Sequence, residues 1–111
     1  MKRANKFNAV KTVVDGITFH SKAEARRYGE LVVLENAGKI QRLELQPQFK
    51  CVVNGKKILS YKADFRYFDT ATGRTVTEDV KSPPTAKKRD FRITKKLVEA
   101  LHPGTEIEVV K

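Results

Sequence analysis

Residues 58–81 read ILSYKADFRYFDTATGRTVTEDVK, and this stretch decides the fold. Its two ends, Ile58 to Tyr67 and Thr75 to Lys81, are rich in the β-branched and aromatic residues that favour strands. Between them, residues 69–73 (DTATG) supply the small and polar side chains of a tight turn. The stretch therefore predicts two antiparallel strands in a hairpin, ended by Ser82-Pro83-Pro84, because proline does not continue a sheet.

The flanking segments predict further strands and two helices. The Asp15-Gly16 and Asn54-Gly55 pairs are typical of hairpin turns, and Ser21 with Glu24 has the spacing of a helix capping box. The predicted elements are strands at 12–14 and 17–19, a helix from Ser21 to the stop at Gly38, strands at 40–45, 49–53, 58–67 and 75–81, a helix at 85–101 and a strand at 107–110. This order predicts an α+β fold, with a central mixed sheet, two flanking helices and an N-terminal β-hairpin.

The size and charge of the chain limit its function. At 111 residues we expect one domain, 1–111, in which the basic residues 1–9 form an arm. The formal net charge of +10 indicates a polyanionic partner, with nucleic acid favoured over an acidic membrane surface or a merely soluble basic protein. Apolar runs are too short for a membrane span, no secretory signal is expected, and the lone Cys51 fits a reducing cytoplasm.

Two common kinds of catalytic site are excluded by composition. One cysteine and two well-separated histidines, His20 and His102, do not supply the three or four ligands of a zinc centre. No glycine-rich phosphate loop precedes a predicted helix, which excludes the usual nucleotide-hydrolysing site. The remaining candidates for chemistry are carboxylates and lysines.

Asp64, Asp79 and Lys81 are the main candidates. Alternate residues of a strand share a face, so Asp79 and Lys81 point together. A hairpin centred near residue 71 places Asp64 opposite residue 78, within two positions, and hence beside Asp79. Two carboxylates and an ammonium would suit a hard cation such as Mg²⁺, which takes one or two carboxylates with phosphate and water.

A simpler interpretation of these charges stays open at this point. Glu78, Asp79 and Lys81 can be ordinary charges on a solvated sheet edge, with Asp64 paired to Lys62 or Arg66. Glu24 also has two interpretations. It completes the capping box of the first helix, and it lies on the helix face that carries Tyr28 and Leu31, from which it can reach the sheet.

The spacing of Asp64 and Asp79-Val80-Lys81 resembles the D-Xn-(D/E)-x-K signature of the PD-(D/E)XK nucleases. Ala63 stands where the proline of that name would be, as in many members of the superfamily. More narrowly, nearly the whole chain resembles a family of short phage and prophage proteins of formerly unknown function. The matching stretches are 15–19 (DGITF), 21–25 (SKAEA), 45–47 (LQP), 61–65 (YKADF) and 78–81 (EDVK).

The resemblance implies a restriction-endonuclease-like core and a cytoplasmic, phage-encoded endonuclease that cleaves DNA, including branched DNA in recombination or replication. It implies Asp64, Asp79 and Glu24 as ligands of Mg²⁺ or Mn²⁺, Lys81 as the catalytic lysine, and Gln46 in the same cleft. Cleavage of two strands would favour a homodimer. Six basic residues after the 75–81 strand are the expected DNA-binding residues, with an ordinary solvated helix face as the alternative: Lys87, Lys88, Arg89, Arg92, Lys95 and Lys96. The alternative is a non-catalytic DNA-binding or recombination-accessory protein that retains the nuclease fold.

Overall fold

The structure, a computed structural model, describes residues 11–111, so the predicted arm at 1–9 lies outside the described residues. The elements in chain order are β1 Thr12–Val14, β2 Ile17–Phe19, α1 Lys22–Asn36, β3 Ile40–Leu45, β4 Gln48–Val53, β5 Lys56–Lys62, β6 Phe65–Asp69, β7 Arg74–Val80, α2 Pro83–Ala86, α3 Arg89–Leu101 and β8 Ile107–Val110. Within the described residues, no helix is long and apolar enough to span a membrane.

The central sheet has the strand order β3-β6-β7-β8. The first three strands are antiparallel, and β8 runs parallel to β7 after the crossover through α2 and α3. Strands β1 and β2 form the separate N-terminal hairpin around Asp15 and Gly16, which both have the positive φ that such a turn requires. The predicted α+β class and mixed sheet are therefore confirmed.

The predicted single strand from Ile58 to Tyr67 is wrong. It is divided at Ala63 and Asp64 into β5, which pairs only with β4, and β6, which joins the central sheet. The chain also bends between β3 and β4, opposite this division. Gln46 has a φ of 52° there, and Pro47 has no N–H to donate to a continuous ladder. Two backbone hydrogen bonds link the two bends. The N–H of Gln46 donates to the carbonyl of Asp64 at 3.0 Å, and the N–H of Ala63 donates to the carbonyl of Pro47 at 3.1 Å.

Strands β3 to β6 thus form one long hairpin that is bent in the middle. Its inner half belongs to the central sheet, and its outer half is a two-stranded β4–β5 ribbon, residues 48–62. We refer to this outer half as the ribbon.

The predicted second helix, 85–101, is also divided. Prolines occupy the first positions of the short helix α2, where their missing N–H costs nothing, and Lys88 then has an extended backbone with ψ of 138°. The helix restarts at Arg89. Helices α1 and α3 are the two predicted flanking helices, and α2 is an addition to the expected pair.

Buried side chains form two clusters, one beside each long helix. The cluster beside α1 contains Phe19, Ala25, Leu31, Ile40, Phe65 and Tyr67. The cluster beside α3 contains Phe49, Cys51, Tyr61, Ala63, Val98 and Ile107. Because successive strand residues face opposite sides, Glu78 of β7 points toward α1, whereas Asp79 points toward Tyr61 in the α3 cluster.

Candidate active site

Asp64 and Asp79 lie side by side where β6 begins and β7 ends. The β6–β7 ladder pairs Phe65 with Glu78, and the N–H of Asp64 donates to the carbonyl of Glu78 at 2.9 Å. Beyond this last pair, the carboxyl groups of Asp64 and Asp79 are close enough to share a hydrogen bond. The pairing of Phe65 with Glu78 is one residue from the central register predicted from the turn and lies within the predicted range.

The carboxylate of Asp64 is held by the backbone of β7. Its Oδ2 accepts a hydrogen bond from the N–H of Val80 at 2.7 Å. The alternative pairing of Asp64 with Arg66 is wrong, because Arg66 makes its ion pair with Glu44. Burial raises the pKa of Asp64 to about 7, and the nearby carboxylates of Asp79 and Glu24 add to the rise, although the Val80 hydrogen bond opposes it.

Asp79 is buried and has two neighbours of different kinds. The hydroxyl of Tyr61 donates a hydrogen bond to its Oδ2, and Nζ of Lys81 lies 3.4 Å from its Oδ1. Burial and the adjoining Asp79 carboxylate both raise the pKa of Tyr61, so its hydroxyl stays protonated and can donate. Tyr61 fixes the orientation of the Asp79 carboxylate, and sequence reasoning missed it because an aromatic residue in a strand usually signals only core packing.

Both the backbone N–H and the side-chain ammonium of Lys81 have partners that fix its position. Its backbone N–H donates to the carbonyl of Val110 at 2.8 Å, which extends the parallel pairing of β7 with β8. Its ammonium lies 4.7 Å from the centre of the Phe91 ring on α3, a cation–π distance. The side chain remains 24% exposed, so the ammonium lies between the buried Asp79 and solvent.

Glu24 combines the two roles that the sequence leaves open. Its backbone N–H donates to Oγ of Ser21 at 3.1 Å, which caps α1 as predicted. Its side chain is buried, and this burial is the main cause of its raised pKa. Of the smaller effects, those of His20 and Lys81 lower the pKa of Glu24, and that of Asp79 raises it. The carboxylate is thus within electrostatic range of the Asp79–Lys81 pair while its backbone serves the helix cap.

Gln46 lies next to Asp64 through the backbone, since its N–H donates to the Asp64 carbonyl at 3.0 Å. Its side chain is exposed, and its left-handed backbone conformation costs a residue with a Cβ about 1 kcal/mol or more. The two backbone bonds across the bend in the long hairpin keep it in this conformation.

The predicted DNA-binding residues on and before α3 separate into three groups. Lys95 forms an ion pair within the protein, because its Nζ lies 2.9 Å from the carboxylate of Glu99. That carboxylate also accepts a hydrogen bond from the N–H of Ile107. Arg89, Arg92 and Lys96 instead line, together with Ile93, a surface groove of about 400 Å³. Lys87 and Lys88 are exposed between the two helices.

The donor set fits a cation that takes few protein ligands. Within residues 11–111, no three His, Cys, Asp or Glu side chains are gathered as a ready-made metal site. The half-buried Asp64 and the buried Asp79 nevertheless form a carboxylate pair, and like charges so close are costly unless a proton or cation lies near them. Mg²⁺ commonly takes one or two carboxylates and completes its shell with water and phosphate, so this pair fits Mg²⁺ or Mn²⁺.

The raised pKa of Asp64 predicts how pH changes the stability of the metal-free protein. Asp64 titrates near 3.8 when unfolded and near 7 when folded, so its contribution is fully present below pH 3.8 and is lost as pH rises through about 7. In EDTA, the free energy of unfolding of the wild type should therefore fall between pH 5 and 8 relative to that of Asp64→Asn. Urea unfolding at both pH values measures this difference, and parallel pH profiles would contradict it.

A family model described as "Protein of unknown function (DUF1064)" matches residues 4–110. The comparisons with curated proteins and with solved structures gave no match. The family match covers nearly the whole chain, including every residue of the candidate site described above. The chain therefore belongs to the family described as Protein of unknown function (DUF1064).

Proposed function

We propose that the protein is a metal-dependent DNA endonuclease that hydrolyses phosphodiester bonds. The observation that carries the proposal is the pairing of buried Asp79 with Asp64 at the ends of two neighbouring strands, with Nζ of Lys81 3.4 Å from Asp79. The half-buried Asp64 beside the buried Asp79 has an electrostatic cost that a structural role does not explain. Together the two carboxylates would hold a divalent cation, whose charge would offset that cost.

Each residue of the site has a distinct task in this proposal. Asp64 and Asp79 hold Mg²⁺ or Mn²⁺, which when bound polarises the phosphate and lowers the pKa of a coordinated water. Tyr61 keeps the Asp79 carboxylate oriented through its hydrogen bond. The ammonium of Lys81 orients the attacking water or offsets negative charge on the phosphate as it develops. Glu24 adds a third carboxylate within electrostatic range.

The charge of the protein supports DNA as the substrate. The net charge of +10 attracts a polyanion, and Arg89, Arg92 and Lys96 present a cationic groove on the helix that follows the catalytic strand. The resemblance to PD-(D/E)XK nucleases and to short phage proteins supports branched DNA as the preferred structure. Cleavage of both strands by a domain with one active site would need a homodimer.

A panel of DNA substrates tests the proposal. Labelled duplex, single-stranded, flap and four-way-junction DNA are incubated with the protein in Mg²⁺, in Mn²⁺ and in EDTA, with Lys81→Ala as the control variant. The proposal expects metal-dependent cleavage that Lys81→Ala loses. Tight binding with no cleavage of any substrate in either metal would instead identify a non-catalytic DNA-binding protein.

A further inference from the structure

The ribbon is a strongly cationic part of the described chain. Between Glu44 and Asp64 the sequence contains no acidic residue. The four lysines of the ribbon, all exposed, are Lys50, Lys56, Lys57 and Lys62. None of them makes an ion pair with a residue in 11–111, whereas Arg66, just beyond the ribbon, is paired with Glu44. The ribbon therefore carries four uncompensated positive charges, which fit a polyanionic partner.

The inner face of the ribbon is anchored to the body of the protein. Phe49, Cys51 and Tyr61 are buried in the α3 cluster with Val98. Nε2 of His102, at the end of α3, lies 2.8 Å from the carbonyl of Lys50 and adds a polar attachment. The ribbon is thus attached to the rest of the protein through one face, while its other face and its tip are exposed to solvent.

The same strand connects the lysines to the candidate active site. Tyr61, near the base of β5, donates to Asp79, and Lys57 lies four residues earlier on that strand. At a rise of about 3.3 Å per residue, these two positions are roughly 13 Å apart. That distance corresponds to about four steps of a DNA strand at 3.4 Å per step. A duplex that follows β5 with a phosphate at Asp79 would thus reach Lys57.

The tip of the ribbon has the chemistry of a groove reader. Val52, Val53 and Ile58 are exposed there, Ile58 to 52%, and they adjoin Lys56 and Lys57. A two-stranded β-ribbon fits the major groove of B-DNA, where apolar side chains contact thymine methyl groups and lysines contact phosphates. An apolar tip whose charged neighbours in the ribbon are all lysines matches duplex DNA better than it matches a second, equally basic copy of this chain.

We propose that the β4–β5 ribbon is a second DNA-binding surface, which holds the duplex that flanks the cleaved bond. This inference deepens the proposed function and rests on it for the identity of the substrate. It differs from binding by the α3 groove, since the ribbon lysines lie on β4 and β5, whereas Arg89, Arg92 and Lys96 lie on α3. Loss of the ribbon charge should weaken duplex binding without any change in Asp64, Asp79 or Lys81.

Salt-dependent binding to a labelled duplex tests the inference, with Lys81→Ala in every protein so that no DNA is cut. The ribbon variant is Lys50→Gln with Lys57→Gln. Its matched control, Lys39→Gln with Arg74→Gln, removes the same charge from exposed residues near the β6–β7 turn, at the opposite end of the sheet from Asp79. Fluorescence anisotropy from 50 to 200 mM salt gives the affinity and the log–log salt slope for each protein.

The ribbon variant should reduce the salt slope by about 0.9 for each lost phosphate contact and weaken binding by roughly eightfold per contact at 0.1 M salt. The control should keep the slope of its parent. Equal slopes in the ribbon variant and the control would overturn the ribbon inference and leave the nuclease proposal intact. A reduced slope, with no cleavage by the protein that retains Lys81, would support the ribbon and overturn the nuclease.

Light scattering of the same proteins tests the competing occupant, a second copy of the chain. A dimer that the ribbon variant loses, together with unchanged DNA binding, would overturn the inference. A mass that is the same in the ribbon variant and its parent agrees with DNA as the occupant.

Discussion

Asp79→Asn is expected to lower the rate of DNA cleavage by about 10²- to 10³-fold or more, without loss of fold. The substitution removes one of the two carboxylates that would hold the metal ion. It keeps the shape of the side chain and an oxygen that can accept the hydrogen bond from Tyr61. It also removes the charge that helps to raise the pKa of Asp64. The thermal midpoint in EDTA should therefore stay the same or rise while activity falls.

Asp64→Asn should lower cleavage to a similar extent, and the double variant should be little worse than either single one. Residues that hold one metal ion act as a unit, so their losses do not add. Asp69→Asn is the matched control, because Asp69 is also on β6 but lies at the turn end, where its carboxylate accepts the N–H of Ala71 at 2.9 Å. Single-turnover rates in Mg²⁺ measure all four proteins. Additive losses, or an equal loss in Asp69→Asn, would contradict a shared metal site.

Local signals in the sequence were sufficient for much of the fold and for the main pair of the site. Asp15-Gly16 and Asn54-Gly55 each form the predicted turn, with positive φ at every one of these residues. The turn at 69–73 determines the register of β6 and β7, since pairing proceeds outward from it. Asp64 and Asp79 could be placed together because they lie in one hairpin, only seven and eight residues from the turn centre at residue 71.

The division of the strand at Asp64 was not predictable from its residues. Residues 58–67 alternate in the manner of one continuous strand, and the bend depends on Gln46 and Pro47 in the partner strand. Which sheet each half joins is then decided by tertiary packing: β5 packs with β4 near α3, while β6 pairs with β3 and β7. Such a choice among partners has no local sequence signal.

The environment of Glu78 shows the same limitation. Its neighbours in sequence suggest a charge on a solvated edge, yet it is 1% exposed. Its main partner, Arg27, is 51 positions away on α1 and has the appearance of an ordinary charge on a helix surface. Only the packing of α1 against the sheet brings the two charges together.

Removal of either charge of this buried pair is expected to destabilise the protein by about 3–5 kcal/mol. Nε and Nη2 of Arg27 donate to Oε1 and Oε2 of Glu78 at 2.8 and 2.6 Å, and the hydroxyl of Tyr67 also donates to Glu78. The hydrogen bond to Glu78 raises the pKa of Arg27 further, so the guanidinium stays charged. In Arg27→Met, the Glu78 carboxylate remains buried with only Tyr67 as a partner. The loss is a large fraction of the 5–15 kcal/mol that stabilises a typical domain.

The ion pair between Arg66 and Glu44 supplies the matched control. It has the same 2.6 Å separation on the same sheet, but its side chains are 33% and 49% exposed, whereas those of Arg27 and Glu78 are 22% and 1% exposed. Glu44→Gln should therefore cost at most about 1 kcal/mol, because solvent screens an exposed pair. Urea unfolding of Arg27→Met, Glu78→Gln and Glu44→Gln at neutral pH compares the two pairs. Similar losses from both would show that burial does not set the strength of the pair. A large loss from the buried pair alone would identify it as the main attachment of α1, and thus of Glu24, to β7.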